Sequence, residues 1–210
     1  MSFRVIQLLE PPENKLVEAK LIDTLKPHDL ELVERAWTPE RDRLLREYLL
    51  RGIDRRAYPQ SLHWRWDKKA RHLRELQARA TGILVGDAWQ GVMLTKSATQ
   101  FARLQPDRGK PLVYIDYIEA APWNLNLPDI GQQRRYRGVG PVLVREAILQ
   151  SQREGFHGRL GLHSLPQSEH FYTGCGMTGV ERDAAKQNLL YFEMTREAAT
   201  RYMENEVSAT

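Results

Sequence analysis

The sequence predicts an α/β domain with a helix-rich first third, on three observations. From His28 to about Ala80, apolar residues recur at helical spacing. Near Thr81 the period shortens to that of strands. Further on, two glycines in Arg135-Tyr136-Arg137-Gly138-Val139-Gly140 lead straight into the helix-like run Pro141-Val142-Leu143-Val144. At 210 residues one domain suffices, divided into a helix-rich N-terminal portion over 1–80, a core over 81–194 and a tail over 195–210.

Phe3 to Leu9 reads as a short first strand ended by Pro11-Pro12. Leu30, Leu32, Val33 and Trp37 follow at near-helical spacing. Thr38-Pro39-Glu40-Arg41 then reads as a new helix start, with threonine as cap and proline at the first position. Leu44, Leu45, Tyr48 and Leu49 give that helix its apolar stripe, and Gly52 ends it. Trp64, Trp66, Ala70, Leu73, Leu76 and Ala80 predict a third helix over Leu62 to Ala80.

Ile83-Leu84-Val85 and Trp89 to Leu94 read as strands joined at Gly86-Asp87. A loop from Gln100 to Lys110 holds the turn signal Pro106-Asp107-Arg108-Gly109. Leu112 to Ile118 is β-branched and aromatic, as a buried strand should be, and Pro122-Trp123-Asn124 stops it. After the glycine-led helix, Gly155 breaks the period. Arg159 to Ser164 is a further strand, Gln167 to Thr173 a short helix and Leu189 to Met194 the last strand. A short, fraying helix is expected from Thr195.

Composition narrows the setting. The net charge of +4 and pI of about 9.2 suit an anionic ligand and also permit nucleic acid. The single cysteine, Cys175, excludes internal disulfides and a cysteine-rich zinc site, and it has no evident activating partner. No metal is expected. The N-terminus lacks a signal-peptide layout and no apolar run reaches membrane-spanning length, so a cytoplasmic protein without a membrane partner is expected.

The glycine-led junction carries the chemistry. Gly138 and Gly140 lack a Cβ, so a bulky anion can approach the backbone N–H groups, and the helix N-terminus favours phosphate. Arg135 and Arg137 add forked donors at the rim. No Gly-Lys-Ser/Thr follows, against a nucleotide triphosphatase, and Leu143 stands where a dinucleotide fold places its third glycine. The remaining pattern, Arg/Gln-x-x-Gly-x-Gly/Ala opening a helix, resembles the acetyl-CoA signature of the GNAT acetyltransferase superfamily. Ala121-Pro122 resembles the strand ending that precedes the loop in that family, and Phe171-Tyr172-Thr173-Gly174-Cys175-Gly176-Met177 resembles its Phe-Tyr-x-x-x-Gly-Phe/Met element. The resemblance covers roughly Thr81 to Met194.

The resemblance implies a mixed, mostly antiparallel central sheet flanked by helices, and transfer of an acetyl group from acetyl-CoA to a primary amine by direct attack. It implies that Arg135, Arg137, Gly138, Val139 and Gly140 hold the cofactor's phosphates, and that the backbone at Glu119, Ala120 and Ala121 hydrogen-bonds its pantetheine arm. It makes Tyr172 the acid for the departing thiolate. For the base three candidates stay open. Asp116 and Glu119 are an odd number of residues apart, so they face opposite sides of their strand, and His163 titrates near neutrality.

The chain departs from the family at three points. About ten extra residues, Trp123 to Gln133, precede Arg135, and Trp123 is expected to line the acceptor site. Pro141 removes one phosphate donor, and Leu165 replaces a common asparagine. Two alternatives stand beside the enzyme. One is a non-catalytic CoA-binding or protein-interaction module. The other, less favoured, is a nucleic-acid-binding protein using the basic, aromatic run His63 to His72, which packing of the tryptophans explains as well. A homodimer stays open.

Overall fold

The computed structural model describes residues 3–11 and 13–208. Met1-Ser2, the Pro12 half of the expected strand stop, and any fraying past Ser208 lie outside the described residues. Eight strands form one open, mostly antiparallel sheet in the order β1-β2-β3-β4-β5-β6-β8-β7. The chain divides into two compact units: Met1–Met93 with Ile118–Gly140, and Leu94–Tyr117 with Pro141–Thr210.

In the first unit, β1 (Phe3–Glu10) and β2 (Lys15–Ile22) form an antiparallel hairpin, with Phe3 opposite Ile22 and Glu10 opposite Lys15. β2 then pairs antiparallel with β3 (Ala78–Val85), Lys20 opposite Leu84. The sequence reading has no strand at β2. Its alternation is real but short: Ala19 and Leu21 turn inward while Glu18 and Lys20 turn to water.

α1 (Pro27–Leu50) corrects a second expectation, because it runs unbroken through Thr38-Pro39. Thr38 is not a cap; its hydroxyl donates to the Glu34 carbonyl at 2.8 Å. Pro39 cannot donate to the Arg35 carbonyl, but both residues are exposed, so water can serve that acceptor. The cap lies earlier, where the Lys26 N–H donates to the Asp29 carboxylate at 2.7 Å. Leu30, Val33, Trp37, Leu44 and Tyr48 form the buried stripe.

The expected helix over Leu62 to Ala80 is also corrected. Only α2 (Trp66–Lys69) and a 3-10 turn (Ala70–Arg74) are helical, and β3 begins at Ala78. Leu76, counted in the expected stripe, is 98% exposed. Pairing with β2 and the Leu25 N–H bond to the Ala80 carbonyl, 2.8 Å, hold this stretch extended. The 1–80 portion therefore carries two strands and the start of a third beside its helices.

β4 (Ala88–Phe101) and β5 (Pro111–Ala120) pass from one unit into the other. In the second unit β5 pairs parallel with β6 (Leu160–Ser164). The crossover between them is α3 (Val139–Arg153), whose Val139, Leu143, Val144, Ala147 and Ile148 are buried. α4 (Glu169–Gly174), β7 (Thr178–Asp183), β8 (Leu189–Met194) and α5 (Arg196–Ser208) complete the chain. β7 escapes the sequence reading because it is an edge strand carrying Glu181, Arg182 and Asp183, with no apolar period.

Candidate functional site

The glycine-led loop is built by neighbours that use up its first N–H groups. The Arg135 N–H donates to the Trp123 carbonyl at 3.0 Å, the Tyr136 N–H to Asn124 Oδ1 at 3.0 Å, and the Arg137 N–H to the Leu9 carbonyl at 2.8 Å. Among the described residues, the N–H groups of Gly138, Val139 and Gly140 make no hydrogen bond within the protein. These three open the fifteen-residue α3. Gly138 has φ +93°, which a side chain resists. Arg135 and Arg137 are exposed, and Pro141 carries no N–H.

The extra segment after β5 is a folded piece, not a free flap. Trp123 Nε1 donates to Gln90 Oε1 at 2.8 Å, and Asn124 Nδ2 donates to the same oxygen at 3.0 Å. The Gln132 amide bonds the Pro122 and Leu125 carbonyls at 2.9 and 3.1 Å. The segment thus links the end of β5 to the glycine loop. At the strand end, the Ala121 N–H already donates to the Gln90 carbonyl at 2.9 Å, whereas Ala120 and Glu119 precede that bond.

Glu119 itself points into a buried ionic cluster. Its Oε2 accepts from Arg41 Nη2 at 2.9 Å and Trp66 Nε1 at 2.7 Å. Arg41 Nη1 also donates to both oxygens of Glu34, and the Trp66 N–H donates to Glu34 Oε2 at 2.7 Å. Burial raises the Glu119 carboxyl to about 7, against the pull of Arg41 and hydrogen bonds from Trp66 and Ser61. Arg65 also pairs with Glu34 at 2.9 Å, so Glu119 has the shared Arg41 as its cation, and that does not compensate it for lost water. Trp66, wholly buried and edge-on to Trp37 at 6.4 Å, follows the packing explanation of the His63 to His72 run.

The other expected site residues lie in the second unit. The β5–β6 ladder runs from Val113 opposite Leu160 to Ile115 opposite Leu162 and ends there, although β5 continues to Ala120. Asp116 and His163 are the next residues on the two strands. Asp116 pairs with Lys96 at 3.4 Å. His163 has both ring nitrogens engaged, Nδ1 with the Tyr114 hydroxyl at 2.7 Å and Nε2 with Asp183 at 3.2 Å. Burial lowers its pKa, against Asp183, which acts to raise it.

Tyr172 sits on α4, its ring 5.8 Å from that of Phe192. Burial pushes its pKa up, so the phenol keeps its proton at any ordinary pH. Cys175 is buried and forms no disulfide.

Sequence reasoning missed Arg41, Glu34, Gln90, Asn124, Tyr114 and Asp183. Arg41 and Glu34 had a signal: both lie on the apolar stripe of α1, where an uncompensated charge is costly. The remaining four offered none, since their partners are remote in sequence. Among the described residues no helix is long and apolar enough to cross a membrane, and no group of three His, Cys, Asp or Glu could hold a metal ion.

No protein-family model and no curated protein matches the sequence. Solved structures do match in fold. A protein of Bacillus halodurans has a TM-score of 0.57 at 9% identity, over 98% of this chain and 97% of that one. A candidate acetyltransferase of the GNAT family from Desulfovibrio desulfuricans has a TM-score of 0.54 at 12% identity, over 85% and 99%. PaiA N-acetyltransferase from Thermoplasma acidophilum, solved in complex with coenzyme A, has a TM-score of 0.51 at 14% identity, over 84% and 98%. At such identities the likeness is one of fold.

Proposed function

This chain has the fold of the GNAT superfamily, and on that premise we propose that it transfers an acetyl group from acetyl-CoA to a primary amine. The observation that carries the reading is the run of N–H groups at Gly138, Val139 and Gly140, unbonded within the protein at the start of α3. They suit a pyrophosphate, with Arg135 and Arg137 balancing its charge at the rim. The pantetheine arm would add to β5 at Glu119 and Ala120, with the Ala121 N–H excepted because Gln90 holds it. Coenzyme A bound to the Thermoplasma enzyme supports a cofactor of this class.

The amine lone pair attacks the thioester carbonyl carbon, a C–N bond forms, and the C–S bond breaks as the intermediate collapses. The departing thiolate takes its proton from the Tyr172 hydroxyl, which burial keeps protonated. The ammonium proton goes to a base. Of the three candidates, Asp116 is held by Lys96 and Glu119 by Arg41 and Trp66. His163, with burial lowering its pKa, is neutral and basic at neutral pH. Trp123 and the segment behind it are assigned to the acceptor side.

Calorimetry with acetyl-CoA, followed by a thiol-release screen over amines, antibiotics and peptides, tests this reading. Binding with turnover of one acceptor is expected. Binding without turnover would make the chain a CoA-holding module, and absence of binding would reject the reading.

A further inference from the structure

Where the β5–β6 ladder ends, a hydrogen-bonded chain crosses the sheet. Tyr114 Oη lies 2.7 Å from His163 Nδ1, and His163 Nε2 lies 3.2 Å from Asp183 Oδ2. The other oxygen of Asp183 accepts the Ala185 N–H at 2.9 Å, which pins the carboxylate. Tyr114 stands opposite Gly161, so its hydroxyl reaches two residues along β6, toward the end of the pairing. Gly161 makes the room: a Cβ there would come within 2.5 Å of the Tyr191 hydroxyl, in the layer of rings formed by Tyr114, His163 and Tyr191.

The chain has a direction. An ionised carboxylate can only accept, so Nε2 carries the imidazole proton. Nδ1 is then the acceptor, and Tyr114 must donate to it. Its phenolic oxygen keeps a lone pair for another donor. The next residue on this face of β5 is Asp116, whose side chain is 16% exposed in its pair with Lys96. Tyr114 itself is 6% exposed, so a polar group would reach its hydroxyl from the Asp116 side.

We propose that Tyr114, His163 and Asp183 form a proton relay that removes the proton of the acceptor amine. The inference rests on the acetyltransferase reading above. In the step, an N–H bond of the ammonium breaks and its proton passes to Tyr114 Oη, while the bonding pair stays on nitrogen. The phenolic proton moves to His163 Nδ1, and Asp183 holds the imidazolium that results. Tyr114 touches the substrate; His163 and Asp183 act through it as positioning residues. The charged and titratable groups facing His163 are Tyr114 from β5, Tyr191 from β8, Asp183 from β7, Arg103 from the segment after β4, and Lys186 after β7. Arg103 and Lys186 oppose a charged imidazole, and Arg103 also reaches Asp183 Oδ2 at 3.6 Å.

The test uses the full chain, acetyl-CoA and the best acceptor from the amine screen. Tyr114→Phe should lower kcat ~10²-fold and leave acetyl-CoA affinity unchanged. Asp183→Asn should move the acid limb of the rate profile to lower pH, because the imidazolium loses its counter-charge. Nitrogen NMR of labelled histidine should show the Nε2–H tautomer in the wild type, and a moved His163 titration in Tyr114→Phe. A folded Tyr114→Phe with full kcat and the same acid limb, or an Nδ1–H tautomer in the wild type, overturns the relay and leaves acetyl transfer standing. A wild type that does not bind acetyl-CoA overturns both.

Discussion

Arg41 Nη2 lies 2.9 Å from Glu119 Oε2, joining the middle of α1 to the end of β5 across 78 residues of sequence. Side chains of both residues are under 5% exposed, at 4% and 3%. The same guanidinium serves Glu34 at 3.1 Å. Replacing Arg41 by leucine therefore leaves the buried Glu119 without its cation and leaves Glu34 with Arg65 alone, 2.9 Å away. A loss of ~3 kcal/mol or more is expected in urea unfolding, with only partial recovery in Arg41→Lys, since one ammonium cannot reproduce the forked geometry. A variant as stable as wild type would show that the cluster carries little of the fold.

Glu119 makes stability depend on pH in a defined direction. Its folded carboxyl is raised to about 7 from the ordinary 4.5. The native state therefore holds the proton more tightly than the unfolded chain. Its contribution is full below about 4.5 and is lost as pH rises to about 7. Glu119→Gln removes this titration, so over that window the wild type should lose stability relative to the variant. Urea midpoints that run parallel from pH 4 to 8 would contradict it.

Gly138 holds φ +93°, and an added Cβ would meet only Leu8 at 3.6 Å. Substitution thus strains the backbone without crowding the core. Gly138→Asp should weaken acetyl-CoA binding by ~2 kcal/mol or more, adding strain and a negative charge beside the free N–H groups. Unchanged affinity by calorimetry in a folded variant would move the phosphate site elsewhere.

Trp123→Ala deletes the donor to Gln90 Oε1 but leaves the Asn124 bonds to Gln90 and Tyr136. The acceptor KM should rise by about 10-fold while acetyl-CoA affinity holds. An equal fall in both would mean that the segment has come loose from the glycine loop.

Tyr172→Phe keeps the ring against Phe192 and removes only the hydroxyl. Unfolding stability should barely move. A drop in kcat of ~10²-fold is expected, with acetyl-CoA affinity intact. Burial raises the phenol above its ordinary value, so the wild-type rate should hold past pH ~10. Full activity with an unaltered alkaline limb would return Tyr172 to the core.

Much of this was legible in the sequence because it is local. The glycine loop, the stripe of α3 and the strands at β3, β5 and β8 each announce themselves within a few residues. β2 and β7 did not, since each carries three charged residues in a short run and becomes a strand only against a neighbour. Pro39 read as a helix start because proline favours that position, and only solvent exposure of the Arg35 turn lets α1 continue.

The sequence by itself determined the fold class, most of the elements from β3 onward and the glycine-led junction before α3, all encoded in short-range periodicity and backbone freedom. Which partners hold each candidate carboxylate and imidazole was decided by tertiary structure alone. Glu119 looked like a free carboxylate at a strand end until Arg41, Glu34 and Trp66 closed around it. His163 looked like a lone imidazole until Tyr114 and Asp183 took its two nitrogens. The physical reason is that a side chain's proton affinity depends on lost water and on nearby charge, and folding brings both from residues far away along the chain.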